Sequence, residues 1–324
     1  MAVTATRARL SNLTLRAYIA LGVGAVCIGF SAIFTKWAGV PGPVSGFYRV
    51  AIATTALALP FAIIMARRRS AGTQHATRGP ALERSEGTEH ASPRPLKFLL
   101  VGTALAGLFF ALDLGVWNTS LLYTSAANST LIGNTSTLWV SIGAVLFFSV
   151  RLRRRFWSGM ALALTGAVII VGRDMRIDTM LGWGDLLAVL SSVFYAAYIL
   201  NTEIVRRRVD TLTFMWLSSL AATIFLLGYC LITRLQLTGF PPSTYAALLA
   251  LGLISHATGW MAINYALGHL AATITSVTLL SQPVFTAVAS VFLLSEPLSI
   301  YQIGGGVLVL LGIYIVNARR GAGA

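Results

Sequence analysis

Acidic side chains are scarce in this chain: ten Asp and Glu among 324 residues, against 24 Lys and Arg. Charged residues of both signs reach only 10%, where a soluble globular domain carries about 25%. So few charges cannot coat the surface of a soluble domain whose residues are 56% hydrophobic, with a mean hydropathy of +0.77. Cysteine is nearly absent as well. Cys27 and Cys230 both sit inside apolar runs and read as small buried hydrophobes, not as a disulfide or a metal pair. Catalytic signatures are missing too: there is no GxSxG elbow, no HExxH helix and no pair of carboxylates within the apolar runs. The expectation is a protein that is not an enzyme and takes no metal or cofactor.

What the chain has instead is long apolar runs. Their length points to membrane-spanning helices of about 20 residues, and their continuity disfavours a spanning β-barrel, whose strands alternate apolar and polar. Ten spans are predicted, at 15–35, 44–65, 97–119, 127–149, 157–172, 185–203, 212–233, 244–267, 272–294 and 301–317. Arg7, Arg9 and Arg16 precede an apolar run that is long for a signal peptide and has no small-x-small cleavage site before Lys36, so the first span is expected to be retained. The Gly-rich stretch GVGAVCIG, residues 22–29, mimics a phosphate loop, but inside a span its glycines serve close packing.

The formal charge of +14 would direct attention to nucleic acid in a soluble protein. Here the arginines cluster between apolar runs, so the expected partner is the lipid bilayer and not nucleic acid. With the N-terminus placed in the cytoplasm, 19 of the 24 basic residues fall on the cytoplasmic side; Lys36, Arg49, Arg173, Arg176 and Arg234 fall on or near the other. That asymmetry predicts both termini inside a bacterial-type plasma membrane.

One pattern occurs twice. Shifted by 146 positions, Ser149 meets Ser295, Leu152 meets Leu298, Gly159 meets Gly305 and Gly166 meets Gly312, without gaps. The shift also pairs Asn118 with Asn264. Five spans per copy make the second copy enter the membrane from the opposite side. This explains why the first copy carries the basic run "RLRRR" where the second has a lone Glu-Pro: the positive-inside bias acts on one copy only. Inverted repeats of this kind belong to secondary transporters, whose halves rock around a site near the midplane.

The second copy, Phe292-Leu-Leu-Ser-Glu-Pro-Leu298 followed by Gln302, Gly305 and Gly312, resembles the signature of the EamA family in the drug/metabolite transporter superfamily. So does Arg49 in the second span, and the resemblance covers residues 15–317. It implies an all-α integral membrane protein of ten helices in two inverted five-helix repeats, working as an exporter. Residues 1–14 are then a cytoplasmic N-terminus and 15–172 the first repeat, with a partly disordered cytoplasmic loop at 66–96. Residues 173–317 form the second repeat and 318–324 a cytoplasmic tail. Val150 stands where the first copy often has Glu, so Glu296 and Pro297, with Arg49, are expected to be structural.

The candidate site residues lie in polar stripes. Asp113 is a carboxylate well inside a span, a costly position that demands protein or water around it. It is either a substrate-binding or protonatable group, or a structural partner of Arg49. Trp117 lies one turn beyond it. His256, Trp260 and Asn264 recur at i, i+4 and i+8 and are expected to line a cavity; the competing role for His256 is a hydrogen bond between helices, and for Asn264 a structural one. Tyr195 and Tyr198, Asn134, and Thr278 with Gln282 beside the helix-breaking Pro283 complete the set, although Ser, Thr and Asn also serve as packing contacts. Asp113 and His256 are the candidates for proton coupling. The chemistry expected is secondary transport, as an exporter, of small organic solutes such as amino acids or related amphipathic metabolites. The alternatives are export of drug-like or other metabolites and, in a different class, a membrane-embedded transferase. The sequence sets no oligomeric state.

Overall fold

The computed structural model describes residues 2–77, 96–120, 123–124, 126–171, 182–293 and 299–318. Among these, ten helices are long and apolar enough to cross a membrane: α1 (Asn12–Ala38), α2 (Gly42–Arg68), α3 (Lys97–Ser120), α4 (Leu131–Phe148), α5 (Arg154–Val171), α6 (Trp183–Arg206), α7 (Thr211–Ile232), α8 (Pro242–Leu267), α9 (Ala272–Leu293) and α10 (Ile300–Asn317). Every expected span is present, with ends shifted by a few residues. The helix of α2 continues past the span to Thr77, through the first part of the stretch expected to be loop. Residues 78–95, most of that stretch, lie outside the described residues, as do the expected repeat junction at 173–181, Glu296 with Pro297, and the tail from 319.

The first and last spans meet at one face. The Tyr18 hydroxyl, near the start of α1, donates to Asn317 Oδ1 at the end of α10 across 3.0 Å. The same face carries a polar girdle. Glu203 at the end of α6 accepts the Ala272 N–H at the start of α9 (2.8 Å) and pairs with Arg207. Buried Arg206 donates to the Asn264 carbonyl (2.9 Å), to the Val209 carbonyl and to the Thr211 hydroxyl. Asp210 caps α7 by accepting the Thr213 N–H and holds Arg68 of α2 at 2.8 Å.

The repeated glycines do the same work in both copies. A Cβ at Gly166 would stand 2.5 Å from the Gly305 carbonyl oxygen, and one at Gly312 2.5 Å from the Gly159 carbonyl oxygen. Gly166 and Gly312 are mates across the 146-residue shift, as are Gly159 and Gly305. Each therefore touches the mate of the other's partner, the contact pattern of a two-fold axis. Because α5 and α10 run antiparallel at this seam, the axis inverts one repeat relative to the other. Small residues allow the backbones to touch, which is how helices associate in lipid, where apolar burial gives no drive.

Two mated helices are also interrupted. The chain of α4 breaks between Ala126–Asn134 and Ser136–Phe148, and α9 breaks between Ala272–Leu279 and Gln282–Leu293. The break residues are Thr135 and Ser281, again 146 apart. Each turns its hydroxyl back onto the carbonyl three residues earlier, Ile132 at 2.5 Å and Thr278 at 2.7 Å. Further irregularities lie in α1, interrupted at Phe30, and in α8, where Leu251–Trp260 winds as a π-helix.

Candidate functional site

The breaks in α4 and α9 open a central cavity of about 850 Å³, within the range of small-molecule sites. Its mouth lies near the helix ends opposite the termini, beside exposed Lys36 of α1, Asn118 of α3 and Gln302 of α10. Its floor is made mid-span by Ile28, Phe110, Tyr195, Trp260 and Leu279. Below that floor the path toward the termini is filled by apolar side chains: Ala17, Leu21, Val205, Leu267 and Ala272 are each at most 1% exposed. The protein stands open to one face and sealed from the other.

Of the residues expected at the site, Asp113, Trp117, Asn134, Tyr195, Trp260 and Gln282 line this cavity together. The Asp113 carboxylate accepts the Ser191 hydroxyl from α6 at 2.6 Å, which fixes one of its oxygens and leaves lone pairs toward the cavity. The aromatics form one wall. Trp260 packs nearly perpendicular to Phe110, Tyr195 and Tyr198, with ring centres 5.0, 6.0 and 5.2 Å apart.

Tyr198, His256, Asn264 and Thr278 lie elsewhere. Tyr198 donates to Asn264 Oδ1 (3.1 Å), and the Asn264 amide reaches the Met215 sulfur of α7. His256 is 3% exposed and bonds the Ser219 hydroxyl of α7 through Nε2 (3.1 Å), behind Phe110 and away from the main cavity. Thr278 bonds the Ile274 carbonyl and meets the Asn317 amide on the side of the termini. The structure therefore corrects the expected stripe of His256, Trp260 and Asn264, of which only Trp260 reaches the cavity. The physical reason is hydrogen bonding: the Ser219 hydroxyl holds His256 behind Phe110, and Tyr198 with the Met215 sulfur holds Asn264, while Trp260 between them turns to the cavity. The roles left to His256 and Asn264 are the interhelical hydrogen bonds that competed with cavity lining.

Arg49 moves the other way. Expected to be structural, it lines the cavity instead. Asp113 acts on it electrostatically, but among the described residues no carboxylate forms an ion pair with it. Its Nε is buried without an acceptor, and so are Trp260 Nε1 and Asn134 Nδ2. Three cavity-lining donors without partners are notable, since a buried polar group left unpaired costs about 1–3 kcal/mol. Sequence reasoning also passed over Lys36, Ser45 and Gln302 as lining residues; at a helix end, such a residue gives no periodic signal to separate it from ordinary interfacial polarity. Among the described residues no group of three His, Cys, Asp or Glu side chains gathers as metal ligands would.

Comparison with known proteins places this arrangement. The profile of the EamA-like transporter family matches residues 15–172 and again 182–318. An uncharacterized transporter of Archaeoglobus fulgidus is 26% identical over 204 residues, 62% of this chain and 70% of that one. The uncharacterized transporter YyaM of Bacillus subtilis is 24% identical over 198 residues, 60% of this chain and 65% of its own. A solved crystal structure of a protein shares the fold with a TM-score of 0.70 over 96% of this chain and 99% of that one, at 18% identity. Two matched repeats, an inverted glycine seam and ten spans around a central cavity agree: the chain belongs to the EamA-like transporter family.

Proposed function

We propose that this protein is a secondary transporter that exports small organic solutes, amino acids or related amphipathic metabolites, across a bacterial-type inner membrane. The observation that carries this proposal is the central cavity, open to one face only and lined by one carboxylate, one guanidinium and an aromatic wall. Asp113 offers a counter-charge for an ammonium group. Trp117, Tyr195 and Trp260 offer ring faces to an apolar side chain or a cation, an attraction worth about 0.5–2 kcal/mol. A cavity this size holds a single metabolite and excludes a polymer. The basic clusters support an orientation with both termini in the cytoplasm, so the cavity as it stands faces outward.

The transport step is alternating access. The two repeats rock about the seam of α5 and α10, the outer mouth narrows around Lys36, Asn118 and Gln302, and the plug of Ala17, Leu21, Val205, Leu267 and Ala272 parts on the cytoplasmic side. The girdle of Tyr18–Asn317, Arg206 and Glu203 opens with it. Asp113 is the proton-coupling candidate that faces the cavity, whereas His256 lies behind Phe110. The direct test is an efflux screen in cells overproducing the protein and challenged with toxic amino acid analogues. Resistance with lowered intracellular analogue supports export. Unchanged accumulation across the whole set of analogues rejects it.

A further inference from the structure

Formal charge around the cavity is unbalanced. Lys36 and Arg49 are cationic and Asp113 is the one anion among its lining residues. The unpaired donors agree in sign: Arg49 Nε and Trp260 Nε1 are both N–H groups that can only donate, as is Asn134 Nδ2. Trp260 is 3% exposed, so no bulk water completes its hydrogen bond. Ser191 meanwhile occupies one oxygen of the cavity's one carboxylate and leaves the other open.

We infer that Arg49, with the Trp260 indole N–H beside the same aromatic cluster, forms an anion subsite that holds a carboxylate of the transported solute. This inference rests on the proposed transport of amino acids and related metabolites and adds a requirement to it: the substrate carries a free carboxylate. A guanidinium is suited to this because its fork of donors matches the two carboxylate oxygens. Arg49 is preferred over Lys36 because Lys36 sits exposed at the mouth and already interacts with other protein groups. As the outer mouth closes, the carboxylate supplies the acceptor that the buried donors lack, and Asp113 remains free to take an amine. A phosphate ester would carry a second negative charge past Asp113 and is disfavoured by the same layout.

The test uses the purified full-length protein in lipid nanodiscs. Calorimetric titration with a set of free L-amino acids, aromatic, branched, polar and charged, is compared with titration by the carboxamide of each. The inference expects the free acids that bind to outbind their amides by about 10- to 100-fold, the range of one charge-assisted hydrogen bond. Arg49→Gln should erase that preference while Lys36→Gln keeps it. Arg49→Lys, which retains the charge without the fork, should keep part of it and serves as the check that loss in Arg49→Gln is not misfolding. Acid and amide binding equally well to the wild-type protein would overturn the anion subsite and leave amino acid transport standing. A preference that survives Arg49→Gln would overturn the assignment to Arg49. A set in which neither acids nor amides bind would overturn the transport proposal and the subsite together.

Discussion

Alanine at Gly305 tests the inverted seam more sharply than any change inside the cavity. An added Cβ there would lie 2.7 Å from the Gly166 carbonyl oxygen and 3.0 Å from the Ile170 backbone nitrogen, both main-chain atoms that cannot rotate away. Ordinary contact begins at 3.4 Å, so α5 and α10 must separate by about 0.7 Å along that line. A radial gap of about 0.5–1 Å already forfeits a quarter to a half of each dispersion well it crosses, and overpacking of this kind costs about 1–3 kcal/mol. Gly304, one residue earlier, is an internal control, because a Cβ there meets nothing within 4 Å. Both substitutions gain the same helix propensity, about 1 kcal/mol for Ala over Gly. The difference between them is the packing cost alone. Thermal unfolding of the two variants in one detergent, followed by intrinsic fluorescence, should place Gly305→Ala below Gly304→Ala by several degrees, since 1 kcal/mol moves Tm by about 2–4 °C in chains of somewhat smaller size. Equal melting temperatures would refute the close approach at Gly166 and Gly305, and with it the two-fold seam.

Three further outcomes are expected. Asp113→Asn keeps a polar partner for Ser191 but removes the titratable group, so the pH profile of proteoliposome flux should flatten; an unchanged profile excludes Asp113 as the coupling group. Tyr18→Phe removes the bond to Asn317, worth about 1 kcal/mol, and should raise the population open on the side of the termini about five-fold, read as faster alkylation of a cysteine placed at Ala272 in the plug; identical labelling rates reject the bond as a latch. Asp210 lies outside the spans: burial raises its carboxyl pKa, but the Thr213 hydrogen bonds and Arg68 outweigh this and hold it below the ordinary carboxylate value. Its contribution is present above the unfolded pKa of about 4 and is lost as pH falls through the lower folded value, so Asp210→Ala should cost about 1 kcal/mol near neutral pH and less under acid, as a pH series of melting curves would record.

The spans, the shift of 146 and the glycine seam were legible in the sequence because each rests on a period or a repeat. Apolar length sets a span whatever its neighbours do, and mated glycines need no knowledge of rotamers. The break at Ser281 was legible for a similar reason, since Pro283 two residues on cannot donate. Its mate at Thr135 has no proline and gave no such signal; there the hydroxyl turned onto Ile132 accompanies the interruption. The orientation of the α8 side chains was not legible. Which way each one faces is set by its neighbours in the packed bundle, as where Gly252 lies against Ile52 and the Ser255 hydroxyl bonds the Cys27 carbonyl. Arg49 was expected to be structural because its place in the second span carries no mark of where its guanidinium points. Counting residues gives height in the membrane, but only the packed bundle shows which way a side chain points.

The paired interruptions at Thr135 and Ser281 have a mechanical consequence. An unbroken helix across the bilayer is a stiff lever, and tilting its outer end swings its inner end the other way. Each of these two is instead a jointed pair of short rods, and the joints sit level with the cavity. Such joints let the outer rods bend over a captured solute while the inner rods stay docked, so that rocking of the repeats can pass through a state shut on both sides.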